Sequence, residues 1–174
     1  MVMPRQKPHE SEQEVCTPLD FLDAVCEHWG LKRFDCDLAA SPRSVINRAY
    51  GRFIGETEDS LSPSVSWRRG TGTNWLNPPF KRIEPWVAKA YAQARDKQAH
   101  TLVLLPASVG AVWFTAHVWR KCAIYFLQPR LTFVGHTTCY PKDLMLLEYA
   151  PWTLDGVNEA TELYVWNWIT GSML

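Results

Sequence analysis

Residues 77–80 read Asn-Pro-Pro-Phe and follow the short apolar run Thr73-Asn74-Trp75-Leu76. Proline fixes φ, removes a backbone donor and pushes the residue before it toward extended geometry. Asn77 and Pro78 are therefore expected in a rigid, non-helical loop at the end of a strand. Carbonyls in such a loop are poorly served by local N–H groups and stay open to an outside donor. An amide side chain, a carbonyl and a flat ring within four residues form a receptor for an exocyclic amino group on a heterocycle. Taken alone, the tetrapeptide says no more than that.

The flanking segments must position this loop. Thr17-Pro18-Leu19-Asp20 reads as a helix start, with a hydroxyl N-cap, proline at the first helical position and a carboxylate in the first turn. Leu19, Leu22, Val25, Cys26 and Trp29 recur at helical spacing before Gly30, which predicts a helix over roughly 18–29. Thr17 is a cap on this pattern; as a helix N-terminus the same place could also hold an anionic group. Phe34–Leu38 reads as a short buried strand tipped by Asp37 and followed by small residues, the way open α/β sheets present a cofactor crevice. No Gly-x-Gly-x-x-Gly loop follows it, so a dinucleotide or phosphate-loop site is not indicated, and Asp37 by pattern alone is a turn or cap residue. Residues 42–72 are weakly patterned, with a strand suggested at Tyr50–Ile54 and a basic glycine-containing loop at Trp67-Arg68-Arg69-Gly70-Thr71-Gly72.

Beyond Phe80, Pro85 opens a second helix to about Lys97, with Lys81, Arg82 and Lys89 expected outside it. The continuous apolar run His100–Pro106 is the clearest buried strand. A helix over Val112–Lys121 and strands at Ala123–Leu127, Arg130–Val134, Asp143–Tyr149 and Leu163–Ile169 complete the pattern. Helices alternating with buried strands predict an α/β sheet, mostly parallel, whose last two strand runs pair as an antiparallel C-terminal hairpin.

Composition narrows the class. The chain of 174 residues suits one domain, here a frayed tail over 1–14 and a folded domain over 15–174. Its 18 basic and 18 acidic residues cancel, so nucleic-acid contact must rest on local clusters and be salt-sensitive. No apolar run approaches the ~20 residues of a membrane span, and the polar start lacks the apolar segment of a signal peptide. The expectation is a soluble cytoplasmic protein with no membrane partner, a monomer or weak homodimer. Five cysteines without a Cys-x-x-Cys pair read as structural thiols. His117, Cys122, His136 and Cys139 match no specific metal spacing, so no metal is expected.

Six segments in order carry a resemblance: Thr17-Pro18-Leu19-Asp20-Phe21-Leu22; Asp37-Leu38-Ala39-Ala40-Ser41 with Asn47; Glu58-Asp59-Ser60-Leu61 with Trp67; Trp75-Leu76-Asn77-Pro78-Pro79-Phe80 with Trp86-Val87-Ala88-Lys89-Ala90; Leu104-Leu105-Pro106-Ala107 with Trp113-Phe114; and Arg130-Leu131-Thr132-Phe133. Together they resemble the phage-encoded, Dam-like DNA N6-adenine methyltransferases, from about Cys16 to Tyr149. The sequence departs from that family's pattern at Pro141-Lys142-Asp143 and at Phe80, where tyrosine is commoner.

The resemblance implies a single-domain, Rossmann-like S-adenosylmethionine-dependent methyltransferase. It implies methyl transfer to the amino group of an adenine flipped out of double-stranded DNA, in a bacterial host cell, at a short or relaxed target. By the same resemblance Asn77 and the Pro78 carbonyl accept from the target amino group, Pro79 aims the ring, and Phe80 stacks on the base. Thr17, Pro18, Asp37, Leu38, Ala39 and Asp59 are the implied cofactor contacts. Arg68, Arg69, Lys81 and Arg82, with Lys121 or Arg130, are the implied phosphate contacts, each equally readable as a solvated charge. Other amino or amide targets (cytosine N4, RNA, protein glutamine) suit the same tetrapeptide, and a silent phage accessory protein would keep the fold without turnover.

Overall fold

The computed structural model describes residues 16–41, 44, 52–55, 58–68, 70–155 and 162–174. The expected tail, Asn47, Tyr50 and Arg69 lie outside the described residues. Helix α1 (Leu19–His28) buries Leu22 and Val25 of the predicted apolar face together with Phe21, while Leu19 is exposed and Cys26 is partly buried. Strands β1 (Cys36–Asp37), β2 (Arg52–Phe53) and β3 (Thr73–Leu76) follow, then helix α2 (Glu84–Lys97) and strand β4 (His100–Pro106). The remaining elements are α3 (Val112–His117), β5 (Ala123–Gln128), β6 (Leu144–Tyr149), α4 (Pro151–Asp155), β7 (Leu163–Asn167) and β8 (Ser172–Met173).

Among the described residues the strands form one sheet in the order β2-β1-β3-β4-β6-β5-β7-β8. Strands β1 to β4 pair in parallel, as do β5 and β7, while β6 runs antiparallel to both of its neighbours. The architecture is thus α/β around a mixed, mostly parallel sheet. Alternation along the strands divides the core in two. Val87, Ala90, Ala94 and Phe114 from α2 and α3 pack against Val103, Leu105, Ile124, Met145 and Leu147 on one face. Phe21, Leu22 and Val25 from α1 pack against Trp75, Leu102, Leu104, Tyr125, Leu146 and Trp166 on the other.

Three expectations need correction. The runs 143–149 and 163–169 do not pair with each other: β6 inserts between β4 and β5, and β7 lies parallel beside β5. All six β6 residues are buried, which demands a neighbour on each side, so an edge hairpin would have left them half covered. The C-terminal antiparallel hairpin is made instead by β7 and β8, the second too short to be read in sequence. The run 130–134 is no strand but part of the 129–143 loop, whose Leu131 and Phe133 insert into the core. Helix α3 ends at His117 rather than Lys121, and Arg120 just beyond it takes a left-handed φ of 59°.

The entry into β3 is close-packed. Asp35 donates its N–H to the Thr73 carbonyl at 2.7 Å, and a Cβ added at Gly72 would stand 2.5 Å from the Asp35 Cβ. Gly72→Ala is expected to cost about 1–3 kcal/mol through forced backbone displacement. Thermal denaturation would read this, and an unchanged melting temperature would show that the β1–β3 entry can yield.

Candidate functional site

The chain leaves β1 for β2 on one side and returns past it to β3 on the other, so the strand order reverses at β1. Open α/β sheets bind ligands outside the carboxyl ends of their strands at such a switch point. Asp37 ends β1, and Asn77 directly follows β3. The sequence predicts both as loop-edge residues; the topology puts them at the carboxyl ends of two neighbouring strands, beside the switch point.

Asp37 is only 5% exposed. Its carboxylate accepts the Ala39 N–H at 3.1 Å and the Ser44 hydroxyl, and its carbonyl accepts the Ile54 N–H at 2.8 Å. Burial raises its pKa, against which the Ser44 and Ala39 hydrogen bonds pull down. The neighbouring Leu38 N–H is tied to the Trp75 carbonyl at 2.9 Å, so the chain leaving β1 is held to β3.

Thr17 departs from its expected role. Pro18 is the N-cap of α1, and no side-chain hydrogen bond caps the helix. The buried Thr17 hydroxyl instead accepts from the Asn77 amide nitrogen at 3.2 Å. This contact brings the start of α1 onto the Asn-Pro-Pro-Phe loop, sixty residues further along the chain.

Pro78 is buried, while Asn77 and Phe80 are half-buried. Phe80 meets Phe133 at 6.4 Å and Tyr140 at 5.9 Å between ring centroids, and Phe133 meets Tyr140 at 5.5 Å, all edge-on. The 129–143 loop therefore builds an aromatic wall beside the tetrapeptide. Sequence reading missed Tyr140 and took Phe133 for a strand residue. The alternation of Leu131 and Phe133 gave the wrong period, and the signal that could have corrected it was Gly135 with Pro141 closing the loop. That loop is tied down by the Tyr140 N–H on the Leu131 carbonyl at 2.7 Å and by the Val134 N–H on the Cys16 carbonyl at 3.1 Å.

Other predicted residues stand apart from this group. Exposed Asp59 accepts the Leu61 N–H at 3.1 Å within its own turn, and its charge acts on Lys89. Arg68 precedes β3 whereas Lys81 and Arg82 follow it, so the strand separates these exposed cations between opposite edges of the sheet. Lys89 is not a free outward cation: its ammonium donates to the Ser60, Ser62 and Val65 carbonyls at 2.9, 2.6 and 2.8 Å. Burial lowers its pKa, and it lies 5.5 Å from the Trp67 ring centroid, so it fastens the loop before β3 to α2. Lys121 donates to the Ala116 carbonyl, and Arg130 pairs with Asp143 at 2.9 Å. Among the described residues no group of three or more His, Cys, Asp and Glu could hold a metal ion, and no helix is long and apolar enough to cross a membrane.

The family model for DNA N-6-adenine-methyltransferase (Dam) matches residues 5–144, a stretch that holds Thr17, Asp37, the tetrapeptide and the aromatic loop. The chain belongs to this Dam family. A curated DNA N-6-adenine-methyltransferase of Escherichia phage T1 is 29% identical over 125 residues, covering 63% of this chain and 48% of that protein. The Dam-family chain thus spans about half the length of the curated relative it matches. No solved structure matches it. The family match reaches only the first residue of β6, so the β6–β8 part of the sheet lies outside it.

Proposed function

We propose that the chain transfers the methyl group of S-adenosylmethionine to the exocyclic N6 of an adenine flipped out of double-stranded DNA. The observation that carries this reading is the placement of Asn77–Phe80 at the carboxyl end of β3, beside the switch point and in contact with Thr17. The family match and the phage T1 methyltransferase support the choice of DNA adenine.

The residues around the crevice suit the cofactor chemically. A buried carboxyl whose pKa is raised by desolvation, as at Asp37, gains most from a cation or a hydroxyl brought beside it. The uncapped N-terminus of the ten-residue α1 offers N–H groups to a carboxylate. Thr17 and Pro18 would line the methionine end, and Asp37, Leu38 and Ala39 the floor beneath. Bound there, the cofactor supplies a methyl group activated on a sulfonium.

An adenine amino group is a poor nucleophile because its lone pair is delocalised into the ring. The Asn77 side-chain oxygen and the Pro78 carbonyl would accept its two hydrogens and favour a more tetrahedral, electron-rich nitrogen, a case of preorganised electrostatics. Held by these two acceptors, the nitrogen would be oriented to receive the methyl group, and the proton it sheds would pass to solvent. Asn77 is neutral and takes no proton. Phe80 would stack on the extruded base, with Pro79 setting the ring's direction. Lys81 and Arg82, beside Phe80 on the carboxyl edge, are better placed than Arg68 to meet DNA phosphates near that base.

The expected product is N6-methyladenine in DNA. Treated DNA digested to nucleosides and read by mass spectrometry should show it, with no N4-methylcytosine and no label in parallel RNA or protein pools. Methylation confined to cytosine, RNA or protein would overturn the reading. Mapping of the modified bases should show a short or relaxed target.

A further inference from the structure

The contacts at the site close into a ring. Asn77 is joined to Thr17 by the amide–hydroxyl hydrogen bond at 3.2 Å. Cys16, one residue back, is joined to Val134 by the backbone hydrogen bond at 3.1 Å. Phe133, the residue before Val134, packs on Phe80, and Phe80 returns through two prolines to Asn77. Every link is either covalent, a hydrogen bond or ring packing, so no member of the ring can rotate freely while the others stay in place.

We infer that Thr17 is a positioning residue for Asn77, holding the amide nitrogen so that the amide oxygen is presented to the target amino group. Two observations set this apart from a simple cofactor contact or a helix cap. The hydroxyl forms no cap to α1, although a threonine before proline at a helix start is well suited to do so. And the partner it does take is the side chain that the transfer chemistry uses, sixty residues along the sequence from Thr17. The 129–143 loop takes part through Cys16: fastening that carbonyl fixes the strap on which Thr17 sits, so the aromatic wall and the amide acceptor are held in register by the same few bonds. This inference rests on the methyl-transfer reading above.

The test uses the full chain with double-stranded DNA and methyl-labelled S-adenosylmethionine. Thr17→Val keeps the shape and removes the hydroxyl; Thr17→Ser keeps the hydroxyl and removes the methyl. Misplacing a reacting group by ~1 Å can cost about 10²-fold in rate. Thr17→Val is therefore expected to lower kcat, read at saturating cofactor, by roughly ten- to hundred-fold, over and above any change in cofactor KM or Kd that follows from its place at the methionine end. Thr17→Ser should recover most of kcat, which a purely structural or packing role would not produce. Circular dichroism checks the fold; should Thr17→Val not fold, the Thr17→Ala and Thr17→Ser pair gives the same comparison. A loss appearing only in cofactor KM or Kd, or a kcat unchanged in the valine variant, would overturn the positioning role alone. No transfer to DNA by the wild-type chain would overturn the functional reading, and this inference with it.

Discussion

Asn77→Ala is expected to lower methyl transfer about 10²–10³-fold, the usual cost of removing one preorganised partner at a reacting centre. The substitution deletes the amide oxygen, while the Thr17 hydroxyl is bonded to the amide nitrogen. Activity should not vanish entirely. The Pro78 carbonyl belongs to the backbone and survives the change, as does the Phe80 ring held against Phe133 and Tyr140. Cofactor affinity should move little, because Asp37 and the start of α1 are left intact. The check is the initial rate of labelled methyl incorporation into DNA, alongside equilibrium binding of the cofactor. A wild-type rate in the alanine variant would rule out the amide as the acceptor that activates the amino group. Asn77→Asp makes the complementary comparison: it keeps an acceptor of similar shape but exchanges the N–H donor to Thr17 for a charged oxygen. Its rate should fall between the alanine variant and wild type. A rate equal to wild type would show that the donor half of the amide is dispensable, the Thr17 hydroxyl donating to the new carboxylate in its place.

How much of this was legible in the sequence follows from what sequence patterns encode. Proline and asparagine impose local geometry, so the rigid loop at Asn77–Pro79 was readable without any tertiary information. The same holds for α1 and α2, whose starts and apolar faces are written in residues a few positions apart. The order of strands is not local. Nothing in Leu144–Tyr149 states that it will lie between β4 and β5, and the hairpin expected from its neighbourhood in sequence was the cheaper guess. Thr17 shows the limit most clearly. Its residue type and place fit an N-cap, yet a partner sixty residues away holds its hydroxyl instead. Lys89 likewise had the pattern of a solvated face and proved to be the clasp for three carbonyls of a distant loop.

The buried network at the opposite edge of the sheet was invisible for the same reason, and it supports the second large prediction. Glu148 on β6 is only 6% exposed. One of its oxygens meets His100 Nε2 at 3.0 Å, the other accepts the Tyr125 hydroxyl at 3.0 Å, and Trp29 also hydrogen-bonds it. His100 Nδ1 in turn meets the Thr73 hydroxyl at 2.8 Å, so the network spans β3, β4, β5, β6 and the end of α1. Burial alone would raise the Glu148 pKa, but the hydrogen bonds and charge of His100, with Trp29 and Tyr125, together hold it below the ordinary glutamate value. The same buried charge helps push the Tyr125 hydroxyl well above the ordinary tyrosine range, after burial itself. Removing one partner from such a group leaves the others buried without it. Glu148→Ala is therefore expected to cost about 3–5 kcal/mol, on the order of 10 °C in melting temperature for a chain of this size. Glu148→Gln, which keeps an oxygen acceptor and the shape, should cost less.

The sign of the pH dependence follows from the lowered pKa. A carboxylate that binds its proton more weakly folded than unfolded stabilises the fold above its unfolded pKa, about 4.3 for glutamate, and that stability is lost as pH falls through the folded value. The wild-type melting temperature should thus fall with acidification more steeply than that of Glu148→Gln, with the two curves converging at low pH. His28, whose pKa burial lowers despite the Glu148 charge, adds a loss in the same direction as it is forced to take a proton. Denaturation of the two proteins across the acidic range reads the Glu148 part, since the His28 loss persists in the glutamine variant and grows somewhat there without the carboxylate that favours its protonation. Parallel curves would mean that the carboxylate's charge contributes nothing to the fold and that the network acts through shape alone. Because this cluster lies at the amino edge while Asn77 lies at the carboxyl edge, either variant, once folded at moderate temperature, should retain methyl transfer.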